Sequence, residues 1–237
     1  MKREETATGW PAEDLEALAL RLARSFPPLS REEGRIALAV FREMASGRPA
    51  DLRRVAERAG APEAAVAEAA GSWPGVYRDE EGSIRGFWGL ALDEMPHPMH
   101  VGGQLVYGWC AWDTLFLGEL IGEEVRVEST CASTGSDVRL KAGPGGVREV
   151  DPPDAVISMV DPDQLETDGD RVISSFCHHI RYFSSPETWR EWEASQPGET
   201  FMLTVGDAWV VGNAVNRIRF ATALAETGRR REVLPDG

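Results

Sequence analysis

The apolar residues change period once along the chain, and that change decides the architecture. Up to Gly71 they recur at helical spacing. Leu15, Leu18, Ala19 and Leu22 run up to Pro27-Pro28, and Ser30 with Glu33 forms a capping box that opens a second helix through Ile36, Leu38, Val40 and Phe41. Two further helices stop at Gly60 and Gly71. From Val76 onward the pattern alternates. V76-Y-R-D-E-E-G-S-I-R-G-F-W-G-L90 reads as a hairpin turning at Glu81-Gly82, and a second hairpin around Thr134-Gly135 joins the runs 124–132 and 137–141. Met99 to Trp109, Ala155 to Val160, Ile173 to Phe183 and Thr200 to Val205 read as strands. Thr114 to Ile121, Pro186 to Glu193 and Asp207 to Ala225 read as helices, with a frayed tail from Gly228. Helices first and strands afterwards predict an α+β protein. Residues 1–86 form a helical, winged-helix-like domain, and residues 87–237 a mixed α/β domain with a mainly antiparallel sheet.

Charge narrows the partners. The formal net charge is −14, and residues 87–237 hold 24 acidic against 12 basic side chains. Such a surface repels nucleic acid and anionic membranes. The candidate recognition helix of the winged-helix-like segment, P62-E-A-A-V-A-E-A-A70, has two glutamates and no basic residue, so it is unsuited to reading DNA. No run approaches the roughly 18 apolar residues of a membrane span, and MKREETATGW has no apolar stretch of a secretory signal. The expectation is a cytosolic protein. Its three cysteines, Cys110, Cys131 and Cys177, are then free thiols, metal ligands or catalytic groups.

Two of these thiols sit in unusual company. In Y107-G-W-C-A-W-D113, Cys110 and Asp113 lie three residues apart within an otherwise apolar run. The segment lies where strand-like sequence gives way to helix-like sequence. A thiol at a helix N-terminus is expected to have its pKa lowered from about 8.5 toward neutrality. In S174-S-F-C-H-H-I-R-Y-F-S-S185, Cys177 precedes His178 and His179. Read as a strand, that segment puts Cys177 and His179 on one side and His178 on the other. A zinc site from Cys110, Cys177 and His179, or a redox dithiol of the two cysteines, is conceivable, but neither uses Asp113.

The motifs Y107-G-W-C-A-W-D113, C131-A-S-T-G135 and S175-F-C-H-H-I-R-Y-F-S-S185, in this order and at these separations, resemble those of the organomercurial (alkylmercury) lyases of bacterial mercury resistance. The resemblance runs to about Phe220 and includes G212-N-A-V-N-R-I-R219. It departs at Trp112, bulkier than the aliphatic residue expected there, and at His179 and Arg181. It implies that 87–237 is the catalytic domain, that Cys110, Asp113 and Cys177 form the active site and hold the Hg(II) product, and that Cys131 is structural. The implied reaction is protonolysis of a carbon–mercury bond to a hydrocarbon and Hg(II). No resident cofactor is implied; external thiols support turnover, and a mercuric reductase is the implied acceptor of Hg(II).

The residue chemistry agrees. Thiolates are soft donors suited to Hg(II), a second thiolate raises electron density on the attached carbon, and a carboxyl with a raised pKa can deliver the proton that carbon needs. Tyr107, Trp109, Trp112 and Phe176 would suit an apolar pocket for the organic group, though core packing is the first expectation for each of these aromatics, and His178 and His179 are expected to be structural. The competing reading is a non-catalytic thiol-based binder or carrier of a soft metal.

Overall fold

Local signals set the N-terminal helices in the computed structural model, which describes residues 9–164, 176–195 and 200–233. Helices α1 (Ala12–Arg24), α2 (Arg31–Met44), α3 (Leu52–Ala59) and α4 (Glu63–Ser72) follow one another. Ser30 accepts a hydrogen bond from the Glu33 N–H while the Glu33 carboxylate accepts one from the Ser30 N–H, completing the capping box. The helix α3 stops at Gly60, whose φ of 63° is left-handed.

Strands β1 (Val76–Arg78) and β2 (Ile84–Phe87) form the expected hairpin, closed at Asp79–Gly82. A second turn then follows at once. Trp88 and Gly89 both have positive φ, 41° and 98°, and carry the chain into β3 (Leu90–Ala91). Two consecutive positive φ values are the mark of a tight two-residue hairpin turn, although a tryptophan seldom adopts one. The Met99 to Trp109 run is two strands rather than one, β4 (His97–Val101) and β5 (Gln104–Gly108), because Gly102-Gly103 turns the chain between them. Strands β6 (Val125–Thr130), β7 (Asp137–Gly143) and β8 (Gly146–Asp151) complete an eight-stranded antiparallel sheet in the order β1-β2-β3-β5-β4-β6-β7-β8. It crosses the boundary between 1–86 and 87–237 without interruption, and buried side chains of both segments share one core.

A second sheet of three strands has the wholly buried β9 (Val156–Val160) between β10 (Tyr182–Phe183) and β11 (Thr200–Thr204). Helix α5 (Asp113–Ile121) leaves the end of β5 and packs on β7; α6 (Pro186–Glu193) precedes β11. Helix α7 (Val205–Val233) packs against α1, α2 and α5, with Phe220 off helical geometry (φ −115°). The frayed tail expected from Gly228 is helical to Val233; 234–237 lie outside the described residues. The α5–α7 crossing needs a glycine, since a Cβ on Gly212 would lie 2.7 Å from Phe116 Cβ. The Trp112 indole N–H donates to the Ala208 carbonyl (3.0 Å) and the Asn216 amide to that of Phe116 (3.1 Å), which fixes α7 across the start of α5. Among the described residues no helix is long and apolar enough to cross a membrane.

Candidate active site

The end of β5 and the start of α5 place Cys110 and Asp113 on a turn whose backbone is tied to a distant segment. The Ala111 N–H donates to the Ile180 carbonyl (3.2 Å), and the Thr114 hydroxyl is shared between the Ala111 carbonyl and the Tyr182 hydroxyl, both at 2.7 Å. On its other side that segment is held by buried Ser158, which accepts from the Arg181 N–H (3.0 Å) and donates to the His179 carbonyl (2.7 Å). These ties bring Cys177 to Cys110. One ligand atom from each of Cys110, Asp113 and Cys177 lies within 4.8 Å of the other two. All three are buried, with exposures of 0%, 7% and 7%.

Cys177 is not in a strand. Residues 173–175 lie outside the described residues, and Cys177–His179 form a single 3-10 turn before the short β10. The apolar run reads locally as a strand, but ahead of β10 its hydrogen bonds close the turn itself or go to Ser158 and Ala111 instead of a ladder. The alternation of sides inferred for His178 and His179 therefore does not apply. His178 is exposed, and His179 is absent from the Cys110–Asp113–Cys177 cluster, which removes the zinc arrangement that required it. Cys131 stands apart as well, accepting a hydrogen bond from the Ser184 hydroxyl (3.6 Å).

Electrostatics in the cluster follow from burial. The Cys110 thiol is pushed up by burial, and further by Cys177 and Asp113 beside it. The lowering expected from a helix N-terminus does not occur. Asp113 points its carboxylate back to the Cys110 N–H (2.8 Å), and complete loss of water outweighs the helix end. Burial also raises Asp113, to about 7, against the opposing hydrogen bonds from the Cys110 thiol and backbone N–H. The arrangement thus holds two sulfur donors and one carboxyl able to carry a proton at neutral pH.

An apolar cavity of about 70 Å3 opens beside the cluster, with Asp113, Cys177, Trp109, Trp112 and Phe176 in its wall. Tyr107 is not part of that wall, and Cys110, fully buried, lies behind it. Trp88, Phe116 and Arg219 also line it. No local pattern marks these three. Trp88 arrives through the tight turn and the others through the α5–α7 crossing.

Gly89 is a further site residue that motif reading passes over. A Cβ built there would lie 2.6 Å from the Asp113 carboxyl carbon, at a φ of 98° that a side chain resists. Gly89→Ala is expected to displace Asp113 and destabilise the fold by about 1–3 kcal/mol. Chemical denaturation and hydrocarbon release measured together would check this, and wild-type values of both would contradict it.

The comparisons with known proteins agree with this picture. The alkylmercury lyase family model matches residues 90–216, a stretch that contains Cys110, Asp113 and Cys177. An alkylmercury lyase of Staphylococcus epidermidis is 37% identical over 173 residues, covering 73% of this chain and 77% of the relative. One of Pseudomonas putida is 34% identical over 176 residues, covering 74% and 80%. The fold resembles the crystal structure of the mercury-bound form of MerB2, with a TM-score of 0.67 at 22% identity over 87% of this chain and 98% of that one. With its model matched over more than half of the sequence and relatives sharing over a third of their aligned residues, the chain belongs to the alkylmercury lyase family and cleaves carbon–mercury bonds.

Proposed function

We propose that Cys110, Cys177 and Asp113 are the groups that carry out the protonolysis. The supporting observation is their mutual approach, within 4.8 Å, in the buried wall of an apolar cavity. Cys177 lines the cavity and Cys110 lies behind it, so Cys177 takes the mercury first. Its sulfur bonds to the mercury of R–Hg–SR′, and the departing thiolate leaves as R′SH with the Cys177 proton. The Cys110 sulfur then adds to the same mercury. Its proton passes to the Asp113 carboxylate, which is already hydrogen-bonded to that thiol. Asp113 hands this proton to the carbon as the carbon–mercury electron pair becomes the new C–H bond, RH leaves, and Hg(II) stays on two thiolates. Two external thiols remove it as Hg(SR′)2 and reprotonate both cysteines. The net change is R–Hg–SR′ plus R′SH giving RH and Hg(SR′)2. A carboxyl near pKa 7 suits such a relay, because it gains and loses a proton with little cost at working pH.

The reading assigns no resident cofactor. The reducing cytosol suits three free cysteines and supplies the exchanging thiols, with a mercuric reductase as the acceptor of the product. Cavity size bears on the organic group. At about 70 Å3 the space is under half of the roughly 150 Å3 that holds a benzene ring. A methyl or ethyl group fits within it, and an aryl ring extends beyond it toward the open side of the pocket.

The test is product analysis. With methylmercury or phenylmercury and excess small thiol, the protein is expected to release methane or benzene in amounts equal to the Hg(II) formed. Mercury binding with no hydrocarbon over many turnover times would refute the catalytic assignment.

A further inference from the structure

Arg219 lies on α7 in the wall of the cavity that contains Asp113 and Cys177. Its guanidinium carbon sits 4.7 Å from the Phe26 ring centre, 4.9 Å from that of Trp88 and 5.3 Å from that of Phe220. Its Nε is buried with no acceptor, and among the described residues no hydrogen bond or ion pair engages the guanidinium. Glu119 on α5 is directed to Arg217 (3.9 Å) and to the Asn216 amide (3.3 Å). Burial lowers the Arg219 pKa only to about 10, so the group remains a cation.

Ring contacts stabilise such a cation, but they leave a planar fork of N–H donors without acceptors. An aliphatic side chain would pack an apolar wall without that cost. The protein carries an excess of carboxylates, yet among the described residues none closes on this guanidinium. Its natural complement is a carboxylate, bound through two parallel N–H···O bonds.

We propose that Arg219 is a specificity residue that receives a carboxylate carried on the organic group of the substrate, so that this enzyme favours organomercurials bearing an acid over their uncharged parents. The proposal rests on the placement of mercury at Cys110 and Cys177, with the organic group in the cavity that both Asp113 and Arg219 line. Arg219 touches no reacting atom. Its contribution is to binding and orientation, and the effect enters chiefly through KM.

Two matched pairs test it at two lengths: ethylmercury against 2-carboxyethylmercury, and phenylmercury against 4-carboxyphenylmercury. In at least one pair the wild-type enzyme should show the higher kcat/KM for the acid. Arg219→Leu should lower that ratio about 10- to 100-fold, as for loss of a charge-assisted hydrogen bond, and Arg219→Lys by less. Benzoate should inhibit wild-type cleavage of ethylmercury more strongly than benzamide does, a reading that needs no variant. A ratio unchanged in Arg219→Leu, no wild-type preference in either pair, or equal inhibition by benzoate and benzamide would overturn the proposal. Failure of the wild-type enzyme to cleave the uncharged parents would instead count against the cysteine and aspartate assignments.

Discussion

Asp113→Asn is expected to lower hydrocarbon release about 10^2- to 10^4-fold while leaving the grip of the protein on Hg(II) intact. Asparagine keeps the shape of the side chain and an oxygen that can accept the Cys110 N–H, so the turn beside Gly89 keeps its geometry. What it cannot do is take a proton from the Cys110 thiol and release it to carbon. Alanine is the poorer probe, because it would leave that buried N–H without an acceptor. Stability offers an independent reading of the same carboxyl. Its pKa rises from the ordinary 3.8 to about 7 in the folded protein, so folding favours the protonated form. The resulting stabilisation is complete below pH 3.8 and is lost as pH rises through 7, a span of roughly 4 kcal/mol at most. Asparagine has no such dependence. The stability of Asp113→Asn relative to wild type should therefore improve between pH 4 and pH 8, by several degrees in Tm. Unchanged turnover, or a stability difference that ignores pH, would remove Asp113 from the relay.

Much of this arrangement is legible before any coordinates, and the reasons differ by element. The Ser30 capping box and the amphipathic helices rest on contacts within a few residues, and the hairpins on turn residues and alternation, so period and punctuation suffice. Cys110 and Asp113 stand out because a thiol and a carboxyl in an apolar run require an explanation. Cys177 is legible as a residue and not as a conformation, since its turn is tied from outside by Ser158 and Ala111. The second turn, at Trp88-Gly89, puts a tryptophan at positive φ, which local preference argues against. The direction of the Cys110 shift is set by how completely water is excluded, a property of the whole core. Arg219 is placed by the helix crossing alone. Departures of this kind, local preference overruled by long-range contacts, concentrate around the cavity.

The strongest discrimination lies among the three thiols. Burial pushes Cys131 up, but hydrogen bonds from Thr134 and Ser184 outweigh it and bring the thiol down to about 6, while Cys110 is raised well above its ordinary range. If thiolate availability governed the reaction, Cys131 would be the reactive sulfur. Geometry assigns the opposite, because Cys131 is outside the group of three that can share one mercury. Cys110→Ser and Cys177→Ser are each expected to cost on the order of 10^3-fold or more in hydrocarbon release, and the double variant scarcely more, since the two sulfurs act as one unit. Either single variant should also surrender Hg(II) to competing small thiols far more readily than wild type, having one soft donor in place of two. Cys131→Ser should retain both turnover and Hg(II) affinity, with any effect confined to stability. Additive losses in the double variant, or a comparable loss of turnover in folded Cys131→Ser, would show that the mercury is not held between Cys110 and Cys177. The low pKa of Cys131 counts for little where, among the described residues, it joins no group that could share one metal ion: Hg(II) itself displaces protons from thiols it binds, so the number of sulfurs it can reach outweighs how easily any one of them ionises.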